Sequence, residues 1–298
     1  MNNKKILFSF LLISFVGIFN LKAQYEIDFG IQLGGANYLG EIGGGSGEAQ
    51  DFLLDMEIES TSFSVGGFFR YSFSRNFALR LSGTYARIEG ADSLSDNPQR
   101  IGRNLSFRTD LIEASLIGEY NFITLRDISR RSRQKIDFKA YAFAGVGALL
   151  FYPEAQENGE WFDLRPLQTE GSENAYDELT IAVPLGVGFN YTFNDKYRFG
   201  LEIGYRFTFT DYLDDISTRF AGPEDLPFVE SLVFANRSDE AFERGNPDLP
   251  NRGFYSPESI RGNPDENDGY LLIQFTASYV IKTGNSFYKP RYNSIINR

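Results

Sequence analysis

The chain has 298 residues with no cysteine, no histidine, and 40 acidic against 29 basic side chains. Without cysteine there is no disulfide, no lipidated cysteine behind a leader and no thiolate metal site. Without histidine there is no Ser–His hydrolysis, no His-ligated metal and no commonest general base, and the net charge of −11 argues against nucleic acid as a partner.

Residues 1–23 read as a secretory signal peptide: Lys4 and Lys5 are the charged end, Ile6 to Phe19 is a 14-residue apolar run, and Ala23 precedes the cut before Gln24. The run is shorter than the about 20 apolar residues of a spanning helix, which disfavours the alternative of an N-terminal membrane anchor. Losing Lys4, Lys5 and Lys22 leaves 26 basic against 40 acidic residues, net −14. No later segment resembles a transmembrane helix, so a membrane is crossed by strands or not at all.

From Tyr25 the chain alternates. Tyr25, Ile27, Phe29, Ile31 and Leu33 share one face, with Glu26 and Asp28 on the other. Gly34 to Ser62 is glycine-rich and acidic and reads as a loop. Phe63 to Phe73 repeats the alternation, Ser74-Arg75-Asn76 turns, and Phe77 to Tyr85 follows with Arg80 opposite its apolar face. Gly90 to Asn104 is polar. Leu105 to Phe122 alternates with an apparent change of phase at Leu111-Ile112, which predicts a β-bulge; two separate strands is the alternative. Phe138 to Tyr152 is apolar on both faces, so its orientation stays open. In Leu179 to Phe193, Pro184 cannot donate to a ladder and is expected near a rim or bulge. Asn194-Asp195-Lys196 turns into Tyr197 to Thr210, where seven large apolar residues alternate with Arg198, Glu202, Arg206 and small residues. Tyr270 to Ile281 is the last strand.

Eight strands result, and their connections sort by length. Those at 34–62, 90–104, 153–178 and 211–269 fall on one side, and those at 74–76, 123–137 and 194–196 on the other. Long outer loops and short inner turns are the habit of outer-membrane barrels; a soluble barrel shows no such sidedness. Tyr25, Phe73, Phe77, Phe122, Phe138, Phe193, Tyr197 and Tyr279 put one aromatic at the inner end of each strand, where amphipathic rings prefer the membrane interface. The predicted fold is all-β: an eight-stranded antiparallel transmembrane β-barrel over 24–281 in the outer membrane, surrounded by its lipid, with long acidic outer loops and a basic periplasmic tail, 282–298. The outer segment 211–269 carries 14 acidic residues and five arginines.

Eight strands leave a lumen that side chains can fill. The inward set is Glu26, Asp28, Glu113, Glu119 and Glu202 against Arg70, Arg80, Arg198 and Arg206, with Lys139 a further candidate. A buried set of this kind must be paired, so it is expected to be a structural plug rather than a permeation path. At the end of the seventh strand, 197–210, the rim motif Thr210, Asp211, Tyr212, Asp214 and Asp215 admits three readings: a divalent-cation site, a chain-capping turn, or a latch pairing Asp214 or Asp215 with Arg206 or Arg219. The latch is preferred, because the spacing lacks the features of a dedicated metal loop. The inner connector holds Arg126, Arg130, Arg131, Arg133 and Lys135, either facing lipid headgroups or forming a periplasmic docking surface extended by the tail. The outer loops contain Trp161, Phe162, Tyr212, Phe220, Phe228, Phe234, Phe242, Phe254 and Tyr255, as a binding surface or a self-packed cap.

Several stretches carry a resemblance. Leu167 to Gly171 (L-x-T-E-G), Ala182 to Gly186 (A-x-P-x-G), Glu202 to Arg206 (E-I-G-x-R) and Thr210 to Ser217 (T-D-Y-L-D-D-I-S), with Leu33 to Gly40 near the start, resemble the PorG-like outer-membrane barrels of Bacteroidota. The segment 221–268 and the tail Lys282 to Arg298 depart from that pattern. The resemblance implies a component or partner of the type IX protein secretion and gliding motility apparatus, associated with a periplasmic ring of PorK-type and PorN-type subunits. It implies no enzyme activity and no cofactor. A surface receptor or adhesion barrel, binding through its acidic aromatic loops, is the competing expectation; an outer-membrane hydrolase or acyltransferase is disfavoured by the absence of histidine.

Overall fold

The computed structural model describes residues 25–42, 60–126, 128, 135–246 and 248–283. The signal-peptide reading and most of the tail fall outside these. Alternation produces strands β1 (Tyr25–Leu39), β2 (Ser62–Ser72), β3 (Phe77–Ala91), β4 (Ser106–Leu125), β5 (Ile136–Glu157), β6 (Glu160–Asp163), β7 (Leu179–Phe193), β8 (Tyr197–Thr208) and β9 (Gly269–Thr283). All pair antiparallel with their neighbours, in the order β4-β3-β2-β1-β9-β8-β7-β5, and β4 also pairs with β5. That last ladder closes an eight-stranded barrel. The short β6 lies outside the ring as a hairpin on the outer end of β5, turned by Asn158 and Gly159 with positive φ.

The faces follow from the alternation. Phe29, Ile31, Leu33, Leu79, Leu81, Val187, Phe199 and Phe207 stand exposed on the outside, while Asp28, Arg70, Arg80 and Glu202 are buried within. At the inner end the rings of Phe73 and Phe77 stack at 6.3 Å, Phe77 meets Tyr120 at 5.1 Å, and Tyr197 meets Tyr279 at 5.7 Å. The inner turn between β7 and β8 is tight: Asn194 and Asp195 both take positive φ, the geometry that matches the twist of two antiparallel strands.

Several expectations change. No bulge occurs at Leu111-Ile112; β4 pairs with β3 in unbroken register through Leu111↔Ala86 and Ile112↔Tyr85. Phe107, Thr109, Leu111, Glu113, Ser115, Ile117 and Glu119 all face inward on one continuous face. The apparent phase change arises because the lumen changes chemistry with height, apolar at its outer end and charged below. The bulge that does occur is at the inner end, between Asn121 and Ile123 against β5. Gly34 to Leu39, read as loop, continues β1 against β9. A Cβ on Gly34 would stand 1.9 Å from the Ile273 carbonyl oxygen, so glycine there permits close strand approach rather than a turn. β5 resolves its open orientation: Tyr141, Phe143, Leu149 and Phe151 face inward and Val146 outward. β9 runs two residues past the expected end at 281. Pro184 sits at neither a rim nor a bulge. The β5–β7 ladder skips the positions between Ala144↔Leu185 and Gly147↔Ala182 and resumes in the same register, where Pro184 lacks an N–H.

Inward residues near the outer mouth form the principal apolar cluster, including Ile88, Phe107, Leu111, Leu149, Phe151 and Leu272. Leu213 and Ile216, from the segment after β8, drop into it as a cork and are fully buried. Above them the outer loops build a cap with three short helices, α1 (Pro98–Arg103), α2 (Val229–Ala235) and α3 (Ser238–Glu243). Of the loop aromatics, Phe220, Phe234 and Tyr255 are buried in this cap, while Phe228, Phe254 and Trp161 remain exposed.

Because Phe107 belongs to the lumen core, Phe107→Ala is expected to lower barrel stability by about 3–5 kcal/mol. Ile112→Ala on the lipid face should cost much less. Urea titration in lipid, read by the heat-dependent gel shift of the folded barrel, measures both.

Candidate functional site

The strands carry ten charged residues into the lumen, eight of them in one connected network and Arg206 with Glu113 as a separate pair. Arg70 on β2 meets Asp28 at 2.8 Å and Glu119 at 2.8 Å, and approaches Glu202 at 3.7 Å. Arg80 on β3 pairs with Glu202 and, at 3.2 Å, with Glu119. Arg198 on β8 reaches Asp28 at 2.8 Å and Glu26 at 3.4 Å. Arg206 pairs with Glu113 at 3.3 Å, and the Tyr270 hydroxyl donates to the same carboxylate at 2.8 Å. Lys139, 3.7 Å from Glu26, joins at the inner mouth.

Five acids thus face five bases. In a space with little water each buried charge needs a counter-charge and hydrogen bonds to be tolerated. Arg80 has 0% of its surface exposed, so solvent does not reach the middle of the lumen. Aromatic rings fill what the charges leave: Arg80 lies 5.3 Å from the Phe143 ring centre, and Arg70 4.8 Å from that of Phe68. The Tyr141 and Phe143 rings occupy room that a Cβ on Gly188 or Gly186 would take, at 2.8 and 2.5 Å. The glycine of the A-x-P-x-G strand, Gly186, is therefore held both by the Ile203 carbonyl oxygen of β8, 2.3 Å from such a Cβ, and by the Phe143 ring of β5.

The rim motif is engaged elsewhere than the latch expectation placed it. Arg206 is spent on Glu113, and Arg219 donates to the Glu258 carbonyl oxygen at 2.6 Å. Asp215 instead accepts from the Tyr176 hydroxyl at 2.6 Å and from Thr169, with Arg261 at 3.7 Å. Arg261 also pairs with Glu170 at 2.9 Å and donates to the Asp215 carbonyl oxygen at 2.6 Å. Glu170 in turn accepts the Ser217 and Thr218 N–H groups at 3.0 and 2.9 Å. Asp214 accepts the Ile216 N–H at 3.0 Å and contacts the Tyr38 hydroxyl at 2.7 Å. The outer rim is therefore a clasp in which the T-E-G loop, the D-Y-L-D-D-I-S segment and the end of β1 meet.

Burial pushes these carboxyls up: Asp215 to about 6, Asp214 to about 8, Asp211 to about 9, and Glu41 beside them to about 7. Among the described residues no group of three or more such side chains is arranged to hold a metal ion.

Residues 4–239 match a family described as a domain of unknown function, DUF6089. The chain belongs to the DUF6089 family. No curated protein matches its sequence significantly. Solved structures similar to this DUF6089 chain are outer-membrane barrels. The N-terminal β-barrel domain of Pseudomonas aeruginosa OprF is 10% identical, with 87% of this chain and 100% of that one covered and a TM-score of 0.33. Pseudomonas aeruginosa OprG is 10% identical over 88% and 97%, with a TM-score of 0.34. Outer membrane protein AlkL, in lipid bilayers, is 15% identical over 89% and 93%, with a TM-score of 0.32. The closed ladder of the DUF6089 chain itself establishes the architecture.

Of the candidate docking residues, Arg130, Arg131 and Arg133 lie outside the described residues. Lys135 pairs with Asp195 at 2.7 Å and with Asp137 at 3.8 Å, and Arg126 lines the inner mouth with Glu26, Lys139 and Arg198. Sequence reasoning missed Arg261 and Asp268 at the clasp of the DUF6089 barrel. Each sits in a polar stretch with no local pattern, more than 40 residues from its partner.

Because the lumen is neutral, Arg80→Met is expected to cost about 3–5 kcal/mol by stranding a buried carboxylate. Adding Glu202→Leu to it should recover most of that loss, measured by urea unfolding in lipid.

Proposed function

We propose that this chain is a non-enzymatic outer-membrane barrel that anchors or associates with the type IX secretion and gliding machinery. In this reading its inner connector, 123–137, and tail, 282–298, contact a periplasmic ring of PorK-type and PorN-type subunits. The observation that carries the anchoring role is the sealed lumen: a charge-balanced network, buried at its middle and partly exposed only at Glu26 and Lys139 of the inner mouth, serves a fixed scaffold and leaves no water path for a solute. The closed barrel with an apolar lipid-facing band supports an outer-membrane location. The PorG-like motifs support the choice of machine, and three of them meet at the outer clasp. The basic inner connector of an otherwise acidic chain supports a docking role on the periplasmic side.

One observation favours a second reading, a surface receptor. A cleft of about 820 Å³ opens in the cap, walled by Glu173, Asp225 and Glu258 with the exposed Ile260.

Crosslinking in cells followed by identification of partners separates the two. Ring subunits recovered with the wild-type chain, and lost when Arg126, Arg130, Arg131, Arg133 and Lys135 are all changed to glutamine, are the expected outcome. Recovery undiminished by those changes would refute the docking surface. In planar bilayers the purified barrel should give no conductance steps.

A further inference from the structure

The outer clasp concentrates buried acid without matching base. Glu41 follows β1, Asp211, Asp214 and Asp215 follow β8, Asp268 precedes β9, and Glu170 comes from the loop before β7. The cations facing them are Arg100 and Arg103 of α1, and Arg261. Arg103 is held by both oxygens of Asp92, each at 2.8 Å, and Arg261 by Glu170 and the Asp215 backbone. Among the described residues Asp211, Asp214 and Asp268 have no cation within ion-pair distance. Asp211 is 6% exposed; the Ser217 hydroxyl faces its carboxyl, but no hydrogen bond of ordinary geometry reaches either oxygen.

Proton counting at Tyr38 is decisive. Its hydroxyl oxygen lies 2.7 Å from Asp214 Oδ2 and 2.5 Å from Asp268 Oδ1, and it accepts the Glu41 N–H at 3.1 Å. A tyrosine hydroxyl has one proton, so it donates to one carboxylate only. A second contact of that length requires a proton on the other carboxyl, since a bare carboxylate would meet the hydroxyl lone pairs. Asp268 also accepts the Leu213 N–H at 2.9 Å, and Asp214 the Ile216 N–H, so the same pair seats both cork residues.

We propose that Asp214, Asp268 and Tyr38, with Asp211 beside them, form a proton-dependent clasp that fastens the long outer loop and its cork to β1 and loosens as pH rises. Burial, reinforced by the neighbouring carboxylates, holds Asp211 at about 9 and Asp214 at about 8 against an ordinary value of 3.8, and Asp268 well above that value. The sign is that of acids raised on folding. Their stabilisation is complete below the ordinary carboxylate value, declines as an opened loop begins to ionise, and is gone once pH passes through about 8 to 9. Above that range the clasp holds adjacent uncompensated charges.

The test is hydrogen exchange by mass spectrometry on the full chain in lipid nanodiscs, from about pH 6 to about pH 10, corrected for intrinsic exchange. Peptides covering 209–220 and 262–268 should lose protection at least about ten-fold between about pH 6 and about pH 8 and level off above about pH 9, while the barrel strands stay protected. In the Asp211→Asn, Asp214→Asn, Asp268→Asn triple variant, whose amides cannot ionise, that loss should vanish. Wild-type protection that stays flat, or a variant that loses protection over the same range, overturns the proposal. If the variant does not fold, infrared spectra of the wild type decide: a protonated-carboxyl band present at neutral pH and titrating away near pH 8 to 9 supports the clasp, and its absence at neutral pH refutes it.

Discussion

Everything in this molecule depends on the ladder between its first and last strands. From Tyr25↔Thr283 to Leu39↔Gly269, β1 and β9 pair along their whole length, converting a meander into a ring. In hydrocarbon an unpaired strand edge would leave a row of N–H and C=O groups without partners, at several kcal/mol each by order of magnitude. Closure removes the edges, and it also decides what the inside must be. Eight strands bring every inward side chain into one narrow space. Nothing placed there can be chosen independently of what stands opposite.

The lumen answers that constraint in layers. In its middle, Asp28, Arg70, Arg80, Glu119 and Glu202 come from five different strands and, with Arg198 against Asp28, neutralise one another. Above them the apolar residues of β3, β4, β5 and β9 make a core of the soluble kind, closed by Leu213 and Ile216. Large rings are accommodated by glycine across the ladder, as Phe143 is by Gly186 and Gly204. Such packing holds a single arrangement, consistent with a part that is held rather than one that opens.

Much of this architecture was legible because period-two alternation with an apolar outside is hard to produce otherwise. Strand count, the sidedness of loops and the inward charges at positions such as Arg80 and Glu202 all came from it. The signal failed where both faces are apolar. Phe107 and Leu111 are apolar because the outer lumen is a core, and the pattern alone cannot separate core from lipid. Glycines at 34 and 35 resembled loop punctuation although close strand approach is their role. The clasp was half visible: Asp214, Asp215 and the T-E-G loop stood out as motifs, but nothing local joins Arg261 to Glu170 across 91 residues. Contacts between long loops are fixed by the whole barrel, and only the fold displays them.

The clasp also sits at a particular place on the ring. Tyr38 is the penultimate residue of β1, and Asp268 immediately precedes β9, so their contact spans the outer end of the seam where the two ends of the barrel sheet meet. A seam fastened at one end has a direction of fraying. Parting of β1 from β9 is favoured at the end opposite the cap, near Tyr25 and Thr283, and is arrested at Tyr38. Any lateral passage between lumen and lipid would therefore open on the side of the short turns, away from the long loops.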